Sequence, residues 1–334
     1  MSVIDKKRIV VVGGGTGTHT VLTGLKQYRK SADLTAIVAV TDSGGSTGRL
    51  RDEFGYLPVG DVRMALAALA KDDDEHELLI RKLFLHRFAS NGDVAGHNFG
   101  NLFLVALTDI LGSEEVAIEA ASRVLQVCGR VLPVTHTKVN LVAHYADGRE
   151  VVGEHEIDEP NTMKTHVPIT TLRVTPNATL NPAVRESLRH ADLIVFGPGD
   201  LYTSILANCV IDGFQDAIQE SNATLVYISN LMTKVGQTTG MGVREHVDEL
   251  ARYIGRSPDV VLVNDAPLPE ELLVRYAHEL EFPVLMNLDT DVLTHDLLAT
   301  EEIIRSAGDV LKRSLIRHDP HKLAHVLMDI CSSK

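Results

Sequence analysis

Three stretches of this chain combine glycine with hydroxyl and acidic side chains in patterns suited to holding phosphate. The first is Gly13-Gly14-Gly15-Thr16-Gly17-Thr18. Glycine lets backbone approach an anion closely, and a helix starting there offers N–H groups without partners. Gly13 and Gly15 satisfy G-x-G, but the third glycine of the dinucleotide fingerprint falls on Thr18, and no Gly-Lys-Ser/Thr follows. The loop therefore reads as a diphosphate site rather than a clean NAD or P-loop motif. The second stretch, Thr41-Asp42-Ser43-Gly44-Gly45-Ser46-Thr47-Gly48-Arg49, reads as a loop suited to phosphate or sugar hydroxyls. Its Asp42 is a candidate for a ribose hydroxyl or for Mg²⁺ beside a phosphate. The third is Gly197-Pro198-Gly199-Asp200-Leu201-Tyr202-Thr203-Ser204. Each stretch alone is equally readable as a tight turn; three of them after three apolar runs are far more specific.

Two further polar segments stand out. Gly96-His97-Asn98-Phe99-Gly100-Asn101 opens a helical pattern, where Asn98 or Asn101 would also serve as a cap. Asn230 to Thr238 follows an apolar run with similar character, and Gly60-Asp61-Val62-Arg63 sets an acid and a base at a helix start. Asp42, Asp61 and His97 are the weak catalytic candidates. No nucleophile elbow, HExxH or Ser-His-Asp context accompanies them.

The elements that must position these loops are legible as short runs. Arg8–Val12, Thr35–Val40, Asp192–Phe196, Thr224–Ile228, Val260–Val263 and Pro283–Met286 are mostly continuous apolar stretches, the mark of strands covered on both faces. Helical patterns alternate with them, among them Thr18–Lys30, Asp61–Ala70, Asn101–Leu111, Pro182–Arg189 and Val243–Tyr253. Strand alternating with helix predicts an α/β fold, a doubly wound and mostly parallel sheet. Period-two alternation around Lys138–Tyr145 and a turn at Asp147-Gly148 predict an antiparallel β-hairpin inserted at about residues 130–174 of one nucleotide-binding domain spanning 1–334. The acidic run Asp72–Glu75 reads as a solvated first turn of a helix.

Composition narrows the function classes. The chain has 334 residues, 44% apolar and 23% charged, enough to bury a core. A net charge of −13 argues against a duplex nucleic-acid footprint, and the lack of Trp with 4% aromatics argues against a base-stacking platform. Cys128, Cys209 and Cys331 are too widely spaced for a structural zinc site, and their odd number suits a reducing compartment. No run reaches the ~20 apolar residues of a membrane span, and the apolar run after Arg8 ends at Gly13, too short for a signal peptide. A cytoplasmic location is expected.

The motifs GGGTGTHTVLTGLK (Gly13–Lys26), TDSGGSTGRLR (Thr41–Arg51), GDVR (Gly60–Arg63), GHNFGNLF (Gly96–Phe103), GPGDLYTSI (Gly197–Ile205) and NLMTKVGQT (Asn230–Thr238) resemble, in order, those of the bacterial gluconeogenesis factors. That family is related to 2-phospho-L-lactate transferase. The resemblance implies a Rossmann-like fold and a UDP-sugar ligand, UDP-N-acetylglucosamine or UDP-glucose. It also implies a role in growth on gluconeogenic carbon and in cell shape and wall synthesis. It points to Gly14, Gly15, Thr16, Gly17, Asp42, Ser43, Gly44, His97, Asn98, Asn101, Gly199, Leu201 and Thr203 as ligand residues. The transferase branch instead moves a phospholactyl group to a deazaflavin with Mg²⁺. The chain departs from the family pattern at Val59, Met64, Asp200 and Gln237; an acid at 200 would repel phosphate unless a cation is bound. A deazaflavin needs a large aromatic-lined cleft, so the expected reading is a regulatory UDP-sugar-binding protein. The alternative is a Mg²⁺-dependent transferase, with a NAD-dependent enzyme behind both. A homodimer is the candidate assembly.

Overall fold

The computed structural model describes residues 6–89, 92–160, 167–300 and 315–333. The strands are β1 (Lys7–Gly13), β2 (Ala32–Val38), β3 (Arg130–Pro133), β4 (Asn140–Tyr145), β5 (Glu150–Val152), β6 (Ile169–Thr175), β7 (Leu193–Phe196), β8 (Thr224–Ile228), β9 (Val260–Asn264) and β10 (Val292–His295). The first helices are α1 (Gly15–Leu25), α2 (Gly45–Phe54), α3 (Gly60–Leu69), α4 (Glu75–Leu85), α5 (Phe99–Leu111), α6 (Glu114–Val124) and α7 (Glu154–Asp158). They continue with α8 (Pro182–Arg189), α9 (Ala207–Cys209), α10 (Phe214–Gln219), α11 (Val243–Ile254), α12 (Glu270–His278) and α13 (Pro320–Ser332).

Seven strands form one sheet in the order β10-β9-β8-β7-β1-β2-β3, and every pairing in it is parallel. The continuous apolar runs follow from this: β7 and β8 are buried at every residue. Alternate residues of β1 divide between the two faces. Ile9 and Val11 pack with α1, α3 and α13, while Val10 and Val12 pack with α8, α10 and α11. The chain moves outward from β1 through β2 to β3, then returns to β7 on the other side of β1. The β1–β7 junction is therefore the switch point, where a crevice opens beyond the carboxyl ends of the strands.

Several expectations need correction. Arg130–Pro133 is not part of the insertion; it pairs in parallel with β2 as an edge strand of the main sheet. The inserted unit is three-stranded, β5-β4-β6, because Ile169–Thr175 adds to the β4–β5 hairpin. Pro283–Met286 is not a strand: Leu285 is 70% exposed, and only Pro283 forms an isolated bridge, to Met232. The seventh strand is β10, a half-exposed edge without the apolar signature of a covered strand. The stretch read as a loop through Arg49 turns helical at Gly45. Within the acidic run, Asp72 and Asp73 pair with Lys26 and Arg29, and Asp74 caps α4.

Candidate functional site

The three glycine-rich segments meet at the switch point. Gly17 packs so closely on the third loop that an added Cβ would lie 1.9 Å from the carbonyl oxygen of Pro198. Asn230, at the end of β8, fastens the third loop by donating from Nδ2 to the Gly199 carbonyl at 2.9 Å. Asn208 donates to the Gly13 carbonyl at 3.2 Å, joining the turn after β7 to the end of β1. Beyond these loops lies a cleft of about 550 Å³. A second cavity of about 720 Å³ lies at the opposite strand ends, around Arg8 and Arg130, and touches none of the glycine loops.

Of the residues expected from sequence, Gly14, Gly15, Thr16, Gly17, Asp42, Gly44, Asp61, Asn101, Gly199 and Thr203 line the cleft. Ser43, His97, Asn98 and Leu201 do not. Ser43 Oγ instead accepts the His155 N–H at 3.0 Å, and Leu201 is buried in the core at the start of a π-helical turn, Leu201–Leu206. Asn98 caps α5, accepting from the N–H groups of Gly100 and Asn101. His97 contacts Ser46 through Nδ1 at 3.1 Å, and burial holds its pKa below the ordinary histidine value. Asn101 joins this layer to the cleft: Nδ2 donates to Ser46 Oγ at 3.2 Å, and Oδ1 accepts from Arg63 Nε at 2.8 Å. The polar Gly96–Leu102 segment thus mainly braces the start of α2 from behind.

The first loop differs from a simple phosphate cradle. The Gly15 N–H already donates to Asp61 Oδ1 at 2.8 Å, and the Gly44 N–H donates to Asp42 Oδ1 at 2.9 Å. Carboxylates from the protein itself thus occupy the starts of α1 and α2, where positive backbone dipoles favour anions. Both acids are half-buried in the cleft wall. Burial raises Asp42 against the pull of its Gly44 and Thr47 hydrogen bonds. Burial, reinforced by the Asp42 charge, pushes Asp61 up to about 7.

Sequence reasoning missed the contribution of the insertion. Its short helix α7 brings Glu154, His155 and Asp158 into the cleft. Burial, and then the charge of Asp42, raises Glu154 well above the usual carboxylate range. The only sequence signal was a hairpin, and alternation carries no information about where the hairpin docks. Beside the third glycine loop, burial and then Asp158 push Asp200 up to about 7. Lys234 sits 3.4 Å from Asp158; burial works to lower its pKa, but the charges of Asp200, Asp158 and Glu281 outweigh this and raise it. Arg317 and His318 also reach the cleft, just before α13.

No group of three metal-ligating side chains in metal geometry occurs among the described residues. The oxygen donors of Asp42 and Asp61 nevertheless fit the way Mg²⁺ binds, through one or two carboxylates plus substrate phosphates. Both acids line the cleft, so a cation held between them and a phosphate would offset their like charges.

The family described as 2-phospho-L-lactate transferase CofD matches residues 9–302. The gluconeogenesis factor of Bacillus subtilis is 40% identical over 98% of this chain and 98% of its own length. A Thermotoga maritima protein carrying the gluconeogenesis factor name is 44% identical over 96% of this chain and 98% of its own. A crystal structure of a UPF0052-family protein from Bacillus halodurans superposes with a TM-score of 0.86 at 35% identity, covering 97% of this chain and 99% of that one.

Proposed function

The chain belongs to the 2-phospho-L-lactate transferase CofD family and its gluconeogenesis factor relatives, and from that premise we propose that it is a nucleotide-sugar-binding regulatory protein. The observation that carries this reading is the junction of the first and third glycine loops, Gly17 against Pro198, at the sheet's switch point. Open parallel sheets bind phosphate-bearing ligands there. UDP-N-acetylglucosamine and UDP-glucose are the proposed ligands, and control of gluconeogenic growth and cell shape is the proposed role. NAD ranks lower because the third fingerprint glycine is Thr18.

Asp42 and Asp61 would hold Mg²⁺ against the diphosphate. When bound, the ion would supply positive charge to offset acids and phosphate. The protein's own part is to orient the ligand. Thr16, Gly17, Ser46 and Thr47 present polar groups to the cleft, and the His97–Asn101–Arg63 layer fixes the start of α2 from behind.

Calorimetry and thermal shift with UDP-N-acetylglucosamine, UDP-glucose, GTP and NAD, with and without Mg²⁺, test the reading. A UDP-sugar at 100-fold its Kd stabilises the fold by roughly 2.7 kcal/mol through mass action. Binding of GTP with no UDP-sugar effect would transfer the assignment to the transferase reading.

A further inference from the structure

Next to the third glycine loop, the cleft lining holds a group of side chains of a different kind from the backbone of the loops. Asp200 follows Gly199 directly, one Cα step from the loop packed on Gly17. Its carboxyl lines the cleft half-buried, beside that of Asp158. Asp42 and Asp61 are each tied to a backbone N–H. The Asp200 carboxyl has no such backbone tie among the described residues. Lys234 answers Asp158 at 3.4 Å. Gln237, 3% exposed, donates from Nε2 to Asp158 at 2.9 Å and to the Thr203 hydroxyl at 3.4 Å, while its Oε1 has no partner among the described residues.

A second, separate observation lies in another part of the lining. His318 lines the cleft, is 6% exposed, and has Nε2 without a partner among the described residues. The segment before it is held by Tyr276, whose hydroxyl accepts the Leu315 N–H at 2.7 Å and whose carbonyl accepts the Glu281 N–H at 3.0 Å. A buried imidazole nitrogen with no partner is costly unless something is bound to it.

We propose that Asp158, Asp200, Lys234 and His318 form a hydroxyl-reading subsite that selects a neutral, polyhydroxylated group on the far side of the diphosphate and rejects an anionic one. The assignment rests on the nucleotide-sugar reading and deepens it. Hydroxyls are both donors and acceptors, and they can satisfy carboxylate oxygens, an ammonium and an imidazole nitrogen together. A carboxylate or phosphate brought to the same place would offer acceptors only, beside two acids. The Lys234 charge, which would favour such an anion, is already matched by Asp158. Sites built to hydrogen-bond a hydroxyl discriminate strongly against ligands that cannot supply it.

The test is calorimetry of the full chain with Mg²⁺ and three ligands: UDP, UDP-glucose and UDP-glucuronate. The wild-type protein is expected to bind UDP-glucose at least about tenfold more tightly than either of the others. Asp200→Ala is expected to weaken UDP-glucose by about tenfold while moving UDP less than twofold. Equal affinity of the wild type for UDP-glucose and UDP-glucuronate overturns the subsite, and needs no variant to fold. So does an equal loss of UDP and UDP-glucose in Asp200→Ala. Failure of all three ligands to bind overturns the nucleotide-sugar reading itself, and the subsite with it, which separates the two failures.

Discussion

At the residue scale, the cleft is defined by carboxyls held where charge is expensive. The Asp200 proton gives a pH signature. Its pKa is raised from 3.8 to about 7, so between those values the native state holds a proton that the unfolded chain has lost. Stability from this group therefore falls as pH rises through that window, and the fall is complete above about 7. Burial sets most of the shift; the charges of Asp158 and Glu281, which face the carboxyl, add to it and Lys234 opposes it. Asp200→Asn is expected to flatten this part of the melting profile and to gain stability relative to the parent at about pH 8. Parallel Tm–pH curves for the two proteins would exclude it. Asp61 carries a different expectation. Asp61→Asn keeps an acceptor for the Gly15 N–H, so the fold persists, but the parent's rise in Tm on adding Mg²⁺ with UDP should be lost. An undiminished Mg²⁺ response in the variant would remove Asp61 from the ion site.

The element that matters most is the smallest one used. α7 has five residues, and a helix that short has little stability of its own. It is held by Ile157, fully buried in the core between the small sheet and the main one. Ile157→Ala should cost roughly 2–5 kcal/mol as a core truncation. Because α7 carries Glu154, His155 and Asp158, the variant should also weaken UDP-sugar binding by about tenfold, beyond what an equally destabilising truncation elsewhere causes. Leu250→Ala, in the core on α11, is the control. Equal affinities in the two variants would show that α7 does not position the ligand.

For the whole molecule, the proposed role asks the converging loops to hold ground-state phosphates, and faster chemistry would require interactions that strengthen in the transition state. His97, the candidate base with the most suitable ordinary pKa, lies behind Ser46 rather than lining the cleft. Incubation with UDP-N-acetylglucosamine and Mg²⁺ is accordingly expected to release no UDP over many hours, followed by chromatography. Multiple turnovers that vanish in Asp42→Ala would install the transferase reading instead. The chain has no helix long and apolar enough to cross a membrane among its described residues.

The sequence by itself determined that the sheet is parallel, five of its seven strands and the three loops at its carboxyl edge. Those features are local: an unbroken apolar run requires cover on both faces, and glycines after it mark a tight approach of backbone. Thr224–Ile228 and Pro182–Arg189 coincide with their predicted bounds because β-branched runs and an Asn-Pro helix start are strong short-range signals. The tertiary structure alone decided which polar residues reach the cleft. Asp61 is 46 residues from the Gly15 N–H that it binds, and Glu154 lies 111 residues from the Ser43 N–H beside its carboxylate. No periodicity records such distances, because docking of the inserted sheet depends on surfaces that exist only once both layers have formed. His97 shows the converse. Its motif has the spacing of a ligand site, yet the packing of α5 behind α2 leaves His97 and Asn98 outside the cleft lining, hydrogen-bonded to Ser46 and the start of α5, while Asn101 of the same motif lines the cleft.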